Sequence, residues 1–248
     1  MIWESAVADA IGGRSEQQDR VAAFRTADGS VCLALVADGM GGHEGGALAA
    51  QAVVDAAAEA WAETGGSIPD PRAFVLEVCR DAHTAINREG RARAMMPHST
   101  GVFLLLDAAA AHWCHIGDSR LYRFRGGTVV ERTRDHSLVQ LLVDLGEVRE
   151  SEMATHPDQN KLFKSLGGPD DPEPGTGSAA AGRDDAFLLC SDGLWEQIST
   201  GEMADALAAD DLGRAAAELV DLAALRGGAL GDNAAVALVR PAREGGDR

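Results

Sequence analysis

Short apolar runs recur along the chain with the length and composition of β-strands. In order they are "SAVADAI", "DRVAAFR", "VCLALVA", "STGVFLLLD", "HWCHIG", "RLYRFR", "TVVER", "AFLLCS" and "AAVALVR". Turn-forming residues join several of them, as at Ala27-Asp28-Gly29 and at Gly126-Gly127. We therefore expect hairpins, in which consecutive strands pair in antiparallel fashion.

Helical periodicity falls between these groups of strands. Residues 46–61 are rich in alanine with apolar side chains at helical spacing, and residues 71–87 show an i, i+4 stripe. The stretch "DHSLVQLLVDLGE" and residues 201–225 are also predicted to be helical. Because the strands come in adjacent groups and do not alternate with helices, the pattern favours an α+β fold with helices packed outside antiparallel sheets.

One domain is enough to account for this pattern. A chain of 248 residues that is 46% hydrophobic can fill a sizeable core, and it contains no internal repeat or long linker. Residues 167–185 are dense in Pro, Gly and Asp and are predicted to form a surface loop. We predict a single catalytic domain at residues 1–240 and a frayed tail at residues 241–248.

Net charge and cysteine content narrow the functional classes. A formal charge of −17 argues against nucleic acid or an anionic membrane as the main partner, because both would repel the chain. No apolar run approaches the roughly 18 to 20 residues that span a bilayer, and the N-terminus shows no leader pattern. The four cysteines are scattered singly, as is typical of reduced thiols. A cytoplasmic protein is expected.

Four carboxylates stand at the ends of apolar runs, each beside a glycine. They occur in the pairs Asp38-Gly39, Gly117-Asp118, Asp192-Gly193 and Gly231-Asp232. Strand ends can meet at one rim of a sheet, where buried carboxylates would repel and raise one another's pKa. Divalent cations remove that repulsion, and oxygen ligands suit Mg²⁺ or Mn²⁺. The spacing leaves two interpretations open, ordinary Asp-Gly turns and a metal site.

Other site motifs do not match the sequence. The stretch "GMGGHEGG" lacks the Lys-Ser/Thr ending of a phosphate-binding P-loop, and His43 has no second histidine four positions on, as a zinc-protease helix requires. The chain has no Cys-x-x-Cys pair. His83, His112 and His115 lie in helix or strand patterns and are expected to be structural.

Taken together, the motifs resemble those of a known family. In chain order they are "RSEQQD", "DGMGGHEGG", "HSTGVFLLL", "HIGDSRLYRFR", "TRDHSLVQ", "HPDQN", "CSDGLWEQIS" and "GDNAAVALV". Their order and spacing over residues 5–239 resemble the metal-dependent, type 2C protein serine/threonine phosphatases in their bacterial form. The resemblance implies a central β-sandwich of two antiparallel sheets flanked by α-helices on both sides, with a dinuclear Mn²⁺ or Mg²⁺ site at one end.

The resemblance also implies which residues hold the metal ions. Asp38 would bridge the two ions, and Gly39 would offer its backbone carbonyl to one of them. Asp192 and Asp232 would hold the second face of the cluster. Asp118 matches a position that helps to bind a third, weaker metal ion in bacterial members.

Substrate contacts and supporting residues follow from the same resemblance. Arg14 matches the arginine that binds the substrate phosphate, for which a guanidinium fork is well suited. Asp19, Gln18 and Asn233 are expected to support the metal ligands from nearby. His43 is the candidate for the catalytic general acid, and a metal-bound water is the alternative.

The chain departs from the family pattern at a few positions. Gln17 stands where many members have Asn, and the neutral Gln18 stands where many have Glu. Met40 occupies the position at which many eukaryotic members have the histidine proposed as general acid, which is why His43 is considered instead. His98 replaces a common glycine, so the strand packing or the rim of the site is expected to differ there.

The implied activity is hydrolysis of phosphoserine and phosphothreonine in proteins, by direct attack of an activated water, in opposition to a Ser/Thr kinase. Since this route needs no phosphoenzyme, Ser119 and Ser191 are expected to be structural hydroxyls. Two alternatives remain open: a pseudophosphatase that binds or regulates phosphoproteins, and a metal-dependent hydrolase of small phosphoesters. A monomer is expected, and residues 143–168, which resemble the variable flap of the family, are expected to set substrate choice.

Overall fold

Two antiparallel β-sheets lie face to face in the computed structural model, which describes residues 1–41 and 43–243, without the side chains of His43 and Glu44. The strands are β1 (Trp3–Ala10), β2 (Asp19–Arg25), β3 (Cys32–Met40), β4 (His98–Ser99), β5 (Gly101–Leu106), β6 (Ala110–Ile116), β7 (Arg120–Arg125), β8 (Thr128–Arg132), β9 (Gly175–Ala180), β10 (Asp185–Cys190) and β11 (Ala234–Pro241). The first sheet has the order β1-β11-β10-β7-β8, and the second has the order β2-β3-β5-β6-β9, with β4 paired to β3. The hairpins predicted around Asp28 and around Gly126 connect β2 to β3 and β7 to β8.

Helices cover the outer face of each sheet. The helices of the described residues are α1 (His43–Thr64), α2 (Pro71–Arg93), α3 (Leu138–Asp144), α4 (Asp192–Trp195), α5 (Thr200–Ala208) and α6 (Leu212–Gly227), with 3-10 turns at Glu150–Thr155 and Gly228–Leu230. Helices α1 and α2 pack on the second sheet, and α5 and α6 pack on the first. This arrangement confirms the predicted α+β fold, a β-sandwich flanked by helices on both sides. Within the described residues, no helix is long and apolar enough to cross a membrane.

The sequence of β3 is a continuous apolar run without alternating polar residues, and the packing of the strand explains this pattern. Leu33 and Leu35 pack toward the helices, whereas Ala34 and Val36 face the other sheet. All four side chains are fully buried, because the strand has protein on both faces. Sheets stacked in this way bring the strand ends, and the residues that follow them, to common rims of the sandwich.

The helical stretch predicted at residues 201–225 is divided into α5 and α6. Ser199 caps α5 by accepting a hydrogen bond from the Glu202 N–H, and the Glu202 side chain accepts one from the Ser199 N–H. Asp211 caps α6 by accepting one from the Arg214 N–H at 2.9 Å. An Asp at an N-cap position starts a new helix, and this signal overrides the continuous periodicity.

The prediction of a loop over residues 167–185 was wrong for its second half, where β9 pairs with β6. The glycines of this strand were interpreted as loop formers, but they make room for large side chains on the neighbouring strand. A Cβ atom at Gly177 would lie 2.2 Å from the ring of Trp113, and one at Gly175 would lie 2.3 Å from the ring of His115. Glycine is therefore required here by packing between strands.

The remaining predictions about organisation concern the cysteines and the C-terminus. All four cysteines are buried free thiols, as predicted. Strand β11 continues to Pro241, and the Ala242 N–H donates a hydrogen bond to the Ile2 carbonyl at 2.8 Å. Residues 244–248 of the predicted tail lie outside the described part of the chain.

Candidate active site

The carboxylates predicted from the strand ends come together at one end of the sandwich. Asp38, Asp118, Asp192 and Asp232 all line a single cavity of about 240 Å³. The other residues that line it are Arg14, Gln18, Gly39, Met40, Asn160 and Leu162. The backbone of His43 begins α1, but its side chain lies outside what the structure describes, so its catalytic role stays a prediction.

Both sheets contribute acids to this cavity. Asp38 lies on β3 and Asp118 follows β6, and these strands belong to the second sheet. Asp192 follows β10 and Asp232 precedes β11 in the first sheet. The cavity therefore spans the junction of the two sheets, and its geometry depends on how the sheets are held together there.

A buried threonine fixes the backbone of Asp38. The Thr100 hydroxyl accepts a hydrogen bond from the Asp38 N–H at 2.9 Å, and the Thr100 N–H donates to the Asp38 carbonyl at 2.8 Å. The same hydroxyl lies 2.7 Å from the hydroxyl of Ser119, the residue that follows Asp118 in the chain. Ser119 is almost completely buried and engaged in this contact, as expected of a structural hydroxyl. Thr100 thus links the backbones that carry two cavity acids.

The turn that carries Asp118 is held by further contacts. Gly117 has φ of +96°, and a Cβ atom there would lie 2.6 Å from the Thr100 methyl group, so only glycine fits. The Gly117 N–H donates to His136 Nδ1 at 3.2 Å, and the His136 N–H donates to the Gly117 carbonyl at 2.9 Å. The Trp195 indole N–H donates to the Asp118 carbonyl at 3.1 Å. These contacts fix the backbone position of Asp118.

A buried arginine holds Trp195 in place. The Arg120 guanidinium forms two hydrogen bonds to Asp135, at 2.9 and 2.6 Å, and its carbon atom lies 3.4 Å from the centre of the Trp195 ring. Planar stacking with a paired guanidinium is a favourable cation–π geometry. Because Trp195 also donates to the Asp118 carbonyl, Arg120 acts on the cavity through the tryptophan.

Close backbone contacts explain the glycines beside the acids. A Cβ atom at Gly39 would lie 1.9 Å from the Gly46 carbonyl oxygen of α1, and one at Gly193 would lie 2.1 Å from the Asn233 carbonyl oxygen. Both distances are far below van der Waals contact, so neither position accepts a side chain. A Cβ atom at Gly46 would in turn lie 2.5 Å from the Gly39 carbonyl oxygen and 2.8 Å from the Gln18 side chain. The predicted contact of the Gly39 carbonyl with a metal ion remains a proposal.

Asn233 organises the loop that carries Arg14. Its side-chain oxygen accepts a hydrogen bond from the Gln18 N–H at 2.8 Å, and its amide nitrogen donates to the Ile11 carbonyl at 2.8 Å. The loop between β1 and β2 is therefore tied to the residue that follows Asp232. Within this loop, the Arg14 guanidinium pairs with the Asp232 carboxylate at 2.5 Å.

Burial and mutual repulsion raise the pKa of Asp38, Asp118 and Asp192. Burial is the main cause, and it raises the pKa of Asp38 and of Asp118 well above the usual range of a carboxyl group. Burial likewise raises the pKa of Asp192 to about 6, and the charge of Asp232 adds to this effect. The site thus brings together carboxyl groups whose simultaneous ionisation is unfavourable.

Asp19 occupies the interior side of this cluster. It is paired with Asp38 across β2 and β3, and its carboxylate accepts a hydrogen bond from the Ser191 hydroxyl at 2.6 Å. Burial raises the pKa of Asp19 to about 8, although the Ser191 hydrogen bond acts in the opposite direction. Ser191 in turn accepts a hydrogen bond from the Ala235 N–H at 2.9 Å, as expected of a structural hydroxyl.

Glu196 belongs to the same electrostatic cluster but was missed in the sequence. Burial, followed by the charges of Asp192 and Asp232, raises its pKa to about 8. It stands four positions after Asp192, at the end of α4. The signal that could have found it is this i, i+4 spacing, which places two acids on one face of a helix.

The residues of the cavity fit a divalent metal ion in their chemistry. The Asp118 side chain is only 5% exposed, and its Oδ1 atom has no hydrogen-bond partner in the described part of the chain. A buried carboxylate oxygen without a partner is unfavourable, and hard cations bind such oxygens. Within residues 1–41 and 43–243, however, no three acidic, histidine or cysteine side chains already stand at the spacing of a metal site.

The predicted flap region is firmly attached to the rest of the molecule along residues 156–168, which we call the strap. At one end, Ser99 and Leu166 exchange backbone hydrogen bonds of 3.1 and 2.7 Å. The His98 ring nitrogen Nδ1 lies 3.2 Å from the Ser165 hydroxyl, so the unusual histidine fastens the strap to β4. His83 accepts a hydrogen bond from the Gly167 N–H, as expected of a structural histidine.

Comparisons with known proteins agree with this architecture. A family model described as protein phosphatase 2C matches residues 9–222. Protein phosphatase PhpP of Streptococcus pneumoniae is 33% identical over 230 residues, which cover 91% of this chain and 92% of PhpP.

Solved structures extend the likeness to three dimensions. The crystal structure of the Mycobacterium tuberculosis serine/threonine phosphatase PstP/Ppp has a TM-score of 0.84 at 31% identity and covers 98% of this chain and 100% of its own. A crystal structure of the PstP catalytic domain in complex with two manganese ions has a TM-score of 0.82 at 30% identity, covering 96% of this chain and 98% of its own. This chain therefore belongs to the protein phosphatase 2C family and is a phosphatase of that family.

Proposed function

We propose that this chain hydrolyses phosphoserine and phosphothreonine in proteins and so opposes a Ser/Thr kinase in the cytoplasm. The observation that carries the proposal is the meeting of four strand-end carboxylates around one cavity, with an accessible arginine at its edge. The family of the chain and the manganese ions in the PstP structure support the same reaction.

Asp38, Asp192 and Asp232 are the proposed ligands of two Mn²⁺ or Mg²⁺ ions, with the Gly39 carbonyl as a further ligand and Asp118 for a third ion. When bound, the ions supply Lewis acidity and an activated water for direct attack on phosphorus. The carboxylates would hold these positively charged ions in place, and carboxylate oxygens are the ligands that such cations prefer.

Arg14 is the proposed phosphate-binding residue. Its side chain is 55% exposed and already pairs with a carboxylate, and its guanidinium fork can donate hydrogen bonds to the oxygens of a phosphate. Asn233 and Gln18 hold the loop on which Arg14 stands, and Asp19 supports Asp38 from the interior. His43 at the start of α1 is the proposed donor of the proton to the leaving group.

The test is turnover of a phosphothreonine peptide with Mn²⁺. We expect activity that EDTA abolishes and that Asp192→Asn lowers by at least about a hundredfold. Asp205→Asn, the same chemical change at an exposed position on α5, should leave the rate unchanged. Activity that survives EDTA, or equal loss in both variants, would contradict the proposal.

The two alternatives predict different results. A pseudophosphatase would bind phosphoproteins without turnover, and calorimetry would show no Mn²⁺ binding. One feature that suggested it, His98, has a structural explanation in the contact with Ser165. A hydrolase of small phosphoesters would turn over free nucleotides faster than phosphopeptides, so the ratio of the two kcat/KM values decides between them.

A further inference from the structure

Asn160 stands on the strap at the mouth of the active-site cavity. It is exposed, and it lines the cavity together with Leu162 of the same segment. Within the described part of the chain, its carboxamide makes no hydrogen bond to another residue. An amide carries two N–H donors, so both are available to a bound molecule.

The backbone around Asn160 is held in place. The Leu138 N–H donates to the Lys161 carbonyl at 2.8 Å, and the Lys161 N–H donates to the Asp158 carbonyl at 3.1 Å. Leu162 forms a β-bridge with Ser137 at the start of α3. These contacts lie immediately on the C-terminal side of Asn160, so its side chain projects from a fixed point and not from a loose loop.

The strap is also connected to the turn that carries Asp118. The Phe163 N–H donates to the His136 carbonyl at 3.0 Å, and His136 exchanges two hydrogen bonds with Gly117. Asn160 and the cavity acids are therefore parts of one hydrogen-bonded framework. A substrate group bound between them meets an amide whose backbone position is set before it arrives, which lowers the entropy lost on binding.

The cavity has few hydrogen-bond donors for an anion. Of the ten described residues that line it, four are carboxylates, and within this described set the side chains that carry N–H donors are Arg14, Gln18 and Asn160. We propose that the Asn160 carboxamide donates a hydrogen bond to a phosphoryl oxygen of the substrate, as a second phosphate contact beside Arg14. This inference rests on the proposed function, since it names a further substrate-binding residue of the same site.

The chemistry favours an amide at this position over an acid or an apolar side chain. A hydrogen bond from a neutral donor to an ionised phosphoryl oxygen is among the stronger contacts in proteins. A carboxylate at position 160 would instead repel the phosphate in a cavity that already contains four acids. Substitution by alanine and by aspartate should therefore weaken phosphate binding to different extents.

The experiment compares Asn160→Ala and Asn160→Asp with the wild type and with Lys161→Gln. Lys161→Gln changes the net charge by the same amount as Asn160→Asp, but the Lys161 side chain points to Asp158, at 2.7 Å, and does not line the cavity. Three quantities are measured: kcat/KM for a phosphothreonine peptide, kcat/KM for p-nitrophenyl phosphate, and the inhibition constant of inorganic phosphate. Calorimetry with Mn²⁺ alone is the fourth readout.

We expect Asn160→Ala to lower kcat/KM for both substrates by about tenfold and to raise the inhibition constant of phosphate by a similar factor. Asn160→Asp should lower both kcat/KM values further. The kcat/KM values of Lys161→Gln should stay within about twofold of the wild type, and so should the Mn²⁺ affinity of every variant.

Three results would overturn the inference. A loss confined to the peptide would show that Asn160 contacts the polypeptide and not the phosphate. A parallel loss of Mn²⁺ affinity would make it a metal-supporting residue, and unchanged kinetics would show no contact at all. An inactive wild type, by contrast, would contradict the proposed function itself, so the two failures are distinguishable.

Discussion

Thr100→Val is expected to weaken metal binding through the backbone of Asp38. The substitution keeps the shape of the side chain but removes the hydroxyl that accepts the Asp38 N–H at 2.9 Å and contacts the Ser119 hydroxyl at 2.7 Å. Thr100 is fully buried, so water cannot replace the lost acceptor. Leaving one buried N–H without a partner costs about 1–3 kcal/mol.

This cost converts into measurable changes. For a domain of this size it corresponds to a fall in melting temperature of about 2–12 °C. Residues that orient metal ligands typically change metal affinity by about tenfold to a hundredfold when they are replaced. We therefore expect Mn²⁺ binding, measured by calorimetry, to weaken at least about tenfold in Thr100→Val. Thr100→Ser, which keeps the hydroxyl, should restore most of the affinity.

Thr133→Val provides the matched control. The Thr133 hydroxyl is also buried and accepts a backbone N–H, that of Leu121, at 3.0 Å, but it does not contact a proposed metal ligand. Both variants should lose similar thermal stability without metal, and only Thr100→Val should lose Mn²⁺ affinity. Equal changes of affinity in the two variants, or none in Thr100→Val, would refute the argument that this hydroxyl positions Asp38.

Three further predictions concern stability. Gly39→Ala should lower the free energy of unfolding by about 3 kcal/mol in urea titrations, because its Cβ would lie 1.9 Å from the Gly46 carbonyl oxygen. A carboxyl whose pKa is raised on folding, such as Glu196 at about 8, stabilises the fold at low pH and loses this effect as the pH rises. The metal-free protein should therefore become less stable from pH 5 to 9, with a smaller slope in Glu196→Gln; an unchanged slope would contradict this assignment. Arg120→Lys should cost about 2 kcal/mol of unfolding free energy, since lysine has no fork for its buried carboxylate partner and no plane to stack on Trp195. A melting temperature equal to that of the wild type would argue against it.

The sequence was most informative where local chemistry decides the structure. Strand ends marked by Asp-Gly pairs were predicted to meet, and the structure brings Asp38, Asp118, Asp192 and Asp232 to one cavity. Apolar runs and turn pairs predicted the hairpins, because strand pairing between neighbours in the chain depends on residues that are close in sequence.

Contacts between distant segments were not predictable in the same way. Strand β9 was taken for a loop because glycine usually marks a turn, whereas Gly177 is required by the Trp113 ring on another strand. The role of His98 depends on Ser165, which lies 67 positions away in the chain. Glu196 is different, since its spacing from Asp192 was visible in the sequence, although its burial was not.

Buried hydroxyl groups explain how two sheets can share a cluster of mutually repelling acids. The acids come from both sheets, and their repulsion acts to separate the strand ends. The Ser191 hydroxyl, from the first sheet, donates to Asp19 on the second at 2.6 Å. Ser119, directly before β7 of the first sheet, contacts Thr100, directly before β5 of the second sheet, at 2.7 Å. These two contacts connect the sheets next to Asp118 and Asp192, which line the cavity. The serines next to Asp118 and Asp192 therefore belong to the site as the groups that hold its two halves together, and this role accounts for their burial better than a role in attack on the substrate.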